Sequence, residues 1–443
     1  LKIDSGVDGE DLFYKITANG SLSSENIKSV VNTKLINTLD GESLSTMSLK
    51  YTNAKNKPSL VGMIKTDMVG FKLNVFSPLE KTKVEEKRLL IKTDFMATTK
   101  YFDVSYDVYD MRFSEGEEFI NINIVSPFLN GNIRIPDSIS DENRILARLQ
   151  YLDLNQFSGI ADPKEYLPMK LQIKEIKIYN SFFNNFNVQT SSHTDGMSID
   201  KISFANKYLT MNGQGKWINN TAGQMTFFDG NFNSVNFGKS LDNFGYKDLI
   251  KRGKLSSRLI GQWPNSPETF SFKNFDGKIL LNLNDGDFLK VTRETKVIGQ
   301  LLGLFSIASL QKRLSLDFSD FFSSGLSFDQ MTGEFIFLDS ISTVKSLNLS
   351  GTFGEMTING ISDIKKETHD HKLTYIPDLS SMSLISGTLL GGPIGAVASI
   401  FYDKVLKQIG IDTNELAAVE YSITGSWSDP EIILLEPFKQ IEN

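Results

Sequence analysis

Asp276-Gly277-Lys278-Ile279-Leu280-Leu281-Asn282-Leu283-Asn284-Asp285-Gly286 is one strand's length of apolar-rich chain between two Asp-Gly pairs. Such pairs favour type I′ hairpin turns, whose two central residues need positive φ. The segment therefore reads as a strand between two tight turns. Asp-Gly or Asn-Gly occurs ten times, with glycines at Gly9, Gly20, Gly41, Gly131, Gly196, Gly213, Gly230, Gly277, Gly286 and Gly360. Hairpin signals from end to end predict many antiparallel strands.

Alternation supports this outside the opening segment. Ile120, Ile122 and Ile124 alternate with asparagines, Leu314, Leu316 and Phe318 with Ser315 and Asp317, and Leu347 and Leu349 with polar residues. Period 2 puts each apolar set on one sheet face. Leu171 and Ile173 lie in one phase and Ile176 and Ile178 in the other, so a bulge is expected at Lys174-Glu175. Helical patterning is scarce: a short helix within 240–252, an amphipathic one over 299–313 and a third over 387–408. The expected fold is mainly β, a long twisted antiparallel sheet with a few short helices near the C-terminus.

Local repetition points the same way. All three tryptophans follow a Gly-x step, in Gly215-Lys216-Trp217, Gly261-Gln262-Trp263 and Gly425-Ser426-Trp427. Each is read as a strand end where a large ring packs over a glycine. An apolar-x-Gly-x-apolar pattern recurs at Leu129/Gly131/Ile133, Phe228/Gly230/Phe232, Phe275/Gly277/Ile279 and Met331/Gly333/Phe335. The spacing is irregular, which fits a series of similar β units rather than a strict solenoid.

Composition narrows the function. In 443 residues there are 46 Lys plus Arg against 53 Asp plus Glu, a net charge of -7, so no basic field holds a nucleic acid. No cysteine is present, which removes disulfides, Cys-ligated metals and a thiol nucleophile. No nucleophile elbow, phosphate loop or zinc-protease helix occurs. His369-Asp370-His371 lacks companion ligands in the sequence and reads as part of a charged, turn-like loop over 365–372. No catalytic residue, metal or cofactor is expected. Phe is abundant, at 32 residues.

A sheet with one apolar face must cover it, and too few helices are predicted to do so. Either the sheet packs on itself, or a concave apolar face is left for a ligand. Such a groove suits lipid acyl chains, because burial is non-directional and worth about 0.8 kcal/mol per methylene. The candidate lining is Ile120, Ile122, Ile124, Leu171, Ile173, Ile176, Ile178, Leu281, Leu283, Leu314, Leu316, Phe318, Phe335, Phe337, Leu347 and Leu349. The uncharged run over 382–402 contains the Gly387, Gly391 and Gly395 ladder. It reads as groove-packed helices, a membrane-inserting tip or a span. Its candidate membrane contacts are Leu384, Ile385, Leu389, Leu390, Ile394, Ile400 and Phe401.

Several stretches, taken in order, resemble one family. Gly213–Trp217, GKSLDNFGYKDLIKRG over 238–253, Gly261-Gln262-Trp263 with Pro267 and GQLLGLFS from Gly299 come first. LSLDFSDFF from Leu314, GLSFDQMTG from Gly325, Gly391-Gly392-Pro393 and Gly425-Ser426-Trp427 with Pro430 follow. Together they are similar to the C-terminal region of YhdP-type AsmA-like proteins, best from about 130 to 432. The resemblance implies a bridge-like lipid transfer protein of diderm bacteria, without catalytic residues, whose U-shaped β-groove crosses the periplasm. It implies phospholipid movement between inner and outer membranes, with the C-terminal end towards the outer one. The chain starts at Leu1 and is read as a fragment whose inner-membrane anchor lies outside it. The expected segments are 1–135 (β-groove), 136–290 (β repeats with Gly-x-Trp) and 291–443 (a C-terminal region with amphipathic and apolar helices). About 25 strands at ~4.8 Å each would make a sheet on the order of 120 Å long. The competing readings are an envelope scaffold with a self-packed face and, more weakly, an outer-membrane barrel.

Overall fold

Period-2 patterning needs partners on both sides of each strand, because unpaired backbone N–H and C=O groups are costly when buried. The chain meets that need by pairing strands mostly with their sequence neighbours. The computed structural model describes residues 1–443 apart from 9–10, 31–37, 54–57, 75–76, 158–161, 179–180, 244–246, 248, 290–325, 378–416, 428 and 441–443. It divides into two units, Leu1–Asp200 and Lys201–Asn443.

The first unit contains β1 (Lys2–Asp8), β2 (Asp11–Ser23), β3 (Leu39–Asn53), β4 (Ser59–Thr66), β5 (Phe71–Leu73), β6 (Leu89–Asp94) and β7 (Tyr101–Tyr106). It continues with β8 (Tyr109–Glu115), β9 (Phe119–Val125), β10 (Leu129–Pro136), β11 (Ile145–Asp153), β12 (Met169–Ile178) and β13 (Ser181–His193). Each pairs antiparallel with the next, β4 reaching past β5 to β6, except that β11 and β12 run parallel. β5 pairs instead with the start of β3. A further strand, β14 (Gly196–Ala205), straddles the boundary between units.

The second unit is a wholly antiparallel run. It comprises β15 (Leu209–Asn220), β16 (Gly223–Ser234), β17 (Ile250–Pro264), β18 (Asp276–Phe288) and β19 (Leu326–Leu338). β20 (Ile341–Gly351), β21 (Gly354–Asp363), β22 (Thr368–Pro377), β23 (Ala417–Ser426) and β24 (Asp429–Gln440) complete it. Every member pairs with its sequence neighbours. The mainly β, antiparallel expectation is met.

The turn chemistry is not. Gly20, Gly41, Gly131, Gly213, Gly230, Gly277, Gly286 and Gly360 lie inside strands, and Gly196 begins one after a turn at Thr194-Asp195. The opening segment is one strand, but its glycines belong to the strand itself. Asp339-Ser340 makes the tight β19–β20 turn, with φ of 51° and 66° and no glycine. Several strand glycines answer a different need: a phenylalanine ring lies against the place their Cβ would take. Phe228 covers Gly213 and Gly230, Phe275 covers Gly261 and Gly277, Phe328 covers Gly286, and Phe335 covers Gly333. Glycine costs a strand roughly 0.5–1 kcal/mol, and a covering ring offsets this by burying aromatic area on the bare backbone. Part of the phenylalanine excess serves these pairs.

The phase flip at Lys174-Glu175 is present, but the expected bulge is not, since the register with both neighbouring strands is the same before and after it. Both residues face solvent in succession, while Ile173 and Ile176 are both buried. The flip is shared by the flanking strands, where Leu149 and Tyr151 pair with Ile173 and Glu175, and Asn185 of β13 takes a φ of 53°.

Helix α1 (Ser24–Val30) and helix α2 (Phe237–Asn243) are short. The helix expected within 240–252 starts earlier and ends sooner. Asn236 accepts from the Lys239 amide at 3.1 Å as its cap, and Ile250 already opens β17. The helices expected over 299–313 and 387–408 lie outside the described residues.

Candidate functional site

Register decides which side chains share a face, since paired residues point the same way. In the second unit, Leu255, Leu283, Met331, Leu349, Met356 and Tyr375 form one row across six strands. Leu281, Gly333, Leu347, Ile358, Leu373 and Tyr421 form the next. Phe335 joins Ile279 and Val344, and Phe337 joins Gly277 and Ser342. So the candidates Leu281, Leu283, Phe335, Phe337, Leu347 and Leu349 come together on one face. That face is a packed core: Leu283 and Ile423 are 0% exposed.

The opposite face carries cross-strand ion pairs. Arg258 binds Asp229 and Arg252 binds Asp287 in two-pronged contacts of 2.8–2.9 Å, and Glu334 receives both Lys278 and Lys345 at 3.0 Å. These cations hold the carboxyls of Asp229, Asp287 and Glu334 below the usual range.

All three tryptophans lie at strand ends. Trp217 and Trp263 are near the ends of β15 and β17, and Trp427 follows β23. The ring over Gly261 is that of Phe275, so the expected tryptophan-over-glycine contact is replaced by phenylalanine. Trp427 instead stacks on His369, with centroids 5.8 Å apart.

His369 and His371 are not in a solvated loop. They sit on β22, buried on the apolar face, because period 2 turns both inward and Asp370 outward. Ser362 Oγ lies 2.8 Å from His371 Nε2 and 3.3 Å from His369 Nδ1. Burial lowers both imidazoles, that of His369 to about 3. Among the described residues no group of three or more His, Asp or Glu is placed to hold a metal.

The first unit's apolar face is different. Ile122 pairs with Phe113 and Ile133, Ile124 with Met111 and Gly131, and Ile16 with Ile3 and Leu49. Burial is graded along β2, β3, β7, β8 and β9. On β9, Ile124 is 6% exposed, Ile122 half-buried and Ile120 39% exposed. On β3, Ser45 is buried, Met47 half-buried and Leu49 exposed. Near β1, Ile3 reaches 69% and Tyr14 57%.

The closed rim is filled by the described residues of 67–88, a strap between β4 and β6. Met68 and Phe71 pack there with Leu39, Tyr106, Tyr109 and Ile124. Within the strap, the Lys81 side chain is buried and donates to the carbonyls of Phe71 (3.0 Å) and Thr82 (2.7 Å). Tyr106 Oη donates to the Leu79 carbonyl at 2.9 Å. The open rim exposes Leu12, Tyr14, Ile16, Leu49 and Phe102, none of them anticipated. The alternation Leu12, Tyr14, Ile16 was a legible signal for them.

On β12, Ile173 and Ile176 are buried and Leu171 and Ile178 half-buried, beside Phe186, Phe183, Val188 and Ser181 of β13. Leu314, Leu316 and Phe318 lie outside the described residues, as do Leu384, Ile385, Leu389, Leu390, Ile394, Ile400 and Phe401. Among the described residues no helix is long and apolar enough to cross a membrane.

The fold thus defines a class of long antiparallel sheets with one apolar face, partly uncovered in the first unit, and one ion-paired face. The family model for YhdP protein matches residues 109–432, and the chain belongs to the YhdP family. It is similar to the intermembrane phospholipid transporter YhdP of Escherichia coli (strain K12), at 20% identity over 351 residues. That match covers 73% of this chain and 27% of the relative, so the chain spans about a quarter of the relative's length. No solved structure matches.

Proposed function

We propose that this chain is part of a conduit that carries phospholipid between two envelope membranes, with acyl chains bedded on the apolar face of its sheet. The observation that carries this reading is the graded face of the first unit, closed by the strap at one rim and uncovered at the other. Family membership and the relative's stated role supply the ligand. Each methylene taken out of water contributes about 0.8 kcal/mol. A chain lying on an open face gains only part of this and can still slide. Transport of this kind makes and breaks no covalent bond, so no catalytic residue is needed. The setting that fits is the periplasm, with the C-terminal end towards the outer membrane.

A second reading, an envelope scaffold, is favoured by the closed core of the second unit. Extraction of the gently purified chain for mass spectrometry separates the two. Stoichiometric phospholipid, with photo-crosslinking to lipid from Phe102 or Ile122, is expected of the conduit. Lipid-free protein without crosslinks would favour the scaffold.

A further inference from the structure

We infer that the outward face of β9 to β13 is a docking surface for an acidic segment of a partner protein, laid across Arg134, Arg148, Lys170 and Lys174. The surface lies opposite the apolar face and does not depend on the lipid reading above.

Period 2 turns these four side chains outward. They are exposed on β10, β11 and β12, while Ala147, Leu149 and Ile173 between them are buried. Asn132 and Gln172 stand directly across from Arg148. Arg134, Lys170 and Lys174 are therefore its diagonal neighbours, about 7–8 Å away. The row through Arg148 reads Asn123, Asn132, Arg148, Gln172, Asn187, one cation flanked by amides.

Elsewhere the sheet closes its arginines with aspartates on the neighbouring strand. Asp103 holds Arg112 at 2.6 and 2.8 Å, and Asp229 and Asp287 hold Arg258 and Arg252 in the same two-pronged way. Around Arg134 and Arg148 the cross-strand positions hold Asn121, Asn123, Asn132, Gln172 and Leu146 instead. Among the described residues no ion pair reaches any of the four cations. Carboxylates return only at the borders, in Glu175 and in the connections over 116–118 and 137–144.

Arg134 is also pre-set. Its guanidinium lies over the Phe119 ring, 3.6 Å from the centroid. Stacking fixes the plane of the fork and leaves its N–H edge to an outside acceptor. Arg112 lies over Tyr101 in the same manner, but there Asp103 already fills the edge.

Neighbouring cations repel one another, and an anion laid across them relieves this. In an extended peptide every second side chain shares a side, ~6.8 Å apart at ~3.4 Å per residue. That spacing matches the diagonal steps around Arg148, so alternate carboxylates meet successive cations, the arginines in bidentate pairs. The interleaved amides can serve the peptide's own N–H and C=O groups. A membrane surface fits less well. Leu146, between Arg134 and Lys170, is half-buried and offers a leaflet nothing to insert.

The test uses the full chain and a fluorescein-labelled peptide of alternating Glu and Ser. Binding is read by anisotropy at about 50 mM salt, where surface charges are weakly screened. Saturable binding is expected, weakened about tenfold or more in the Arg134→Gln, Arg148→Gln double variant. The Asn132→Asp, Gln172→Glu double variant gives Arg148 the carboxylates found elsewhere in the sheet. It should lose binding likewise, with its thermal midpoint unchanged. Arg258→Gln, which removes a cation already paired, should bind as the wild type does. Absence of saturable binding, or wild-type affinity in either double variant, overturns the proposal. Binding to phosphatidylglycerol vesicles that both double variants lose, with no binding of the peptide, also overturns it and makes the patch a membrane contact.

Discussion

At the scale of single residues, missing Cβ atoms decide more than turn propensity does. A Cβ at Gly277 would overlap the Ile260 carbonyl oxygen and lie 2.6 Å from the Phe275 ring, whereas one at Gly20 meets nothing within 4 Å. Gly277→Ala should therefore lose about 1–3 kcal/mol through overpacking, and Gly20→Ala should be close to neutral, as read by urea midpoints. The sequence showed this only obliquely. Apolar-x-Gly-x-apolar marked the strand face, but Asp-Gly carries the same two letters in a turn as in a ring-covered strand. His369 and His371 were misread for a related reason, since charged neighbours on the outward face masked an inward pair. Their depressed basicity has a consequence with a definite sign. Both stay neutral when folded, and an unfolded imidazole binds its proton near pH 6.5. The stability His369 contributes is complete above about pH 6.5 and falls by up to about 1.4 kcal/mol per pH unit as pH drops towards about 3, and His371, lowered by the same burial, adds to the loss in the same direction. Thermal midpoints scanned from about pH 7 to about pH 4.5, above the carboxylate range, should fall. The His369→Phe, His371→Leu double variant should flatten the curve.

At the scale of elements, the strap between β4 and β6 is held by backbone bonds to β3 and within itself, and by Lys81 at its centre. Lys81 sits in a site whose burial lowers its ammonium's pKa, and it gives two hydrogen bonds to strap carbonyls. Lys81→Met keeps most of the volume and removes both donors. It should cost about 1–3 kcal/mol, seen as faster amide exchange over residues 68–83 with β9 to β13 unchanged. The cross-strand ion pairs, by contrast, should matter little. The Arg258 and Asp229 side chains are 48% and 32% exposed, and a double-mutant cycle should give under about 1 kcal/mol. Strand positions and the phase flip at Lys174-Glu175 were legible because periodicity reports which way side chains point, whereas the bulge inferred from that flip is absent, because β11 and β13 flip with β12 and keep its register. Whether a face is covered was not legible, because the strap and α2 reach it from distant sequence.

At the scale of the whole chain, an apolar content of 40% serves two purposes, a packed core in one unit and a wet face in the other. With a net charge of -7 and no basic stripe among the described residues of the apolar face, lipid retention should be governed by tails. Phospholipid bound per chain should stay constant between about 0.1 M and 0.5 M salt, where charge contacts would be screened, and should be stripped by detergent. The parallel step between β11 and β12 has a different kind of consequence. An antiparallel meander can be lengthened or shortened by whole hairpins, two strands at a time, with every later loop staying on its own side. Removing a single strand swaps those sides. The connection over 154–168 returns the chain to its starting side, in keeping with the dozen or more residues that a parallel join needs. Modular editing of this protein, by excising or grafting strands, is therefore free to move in pairs anywhere along an antiparallel run, but can change parity only where such a return connection is supplied.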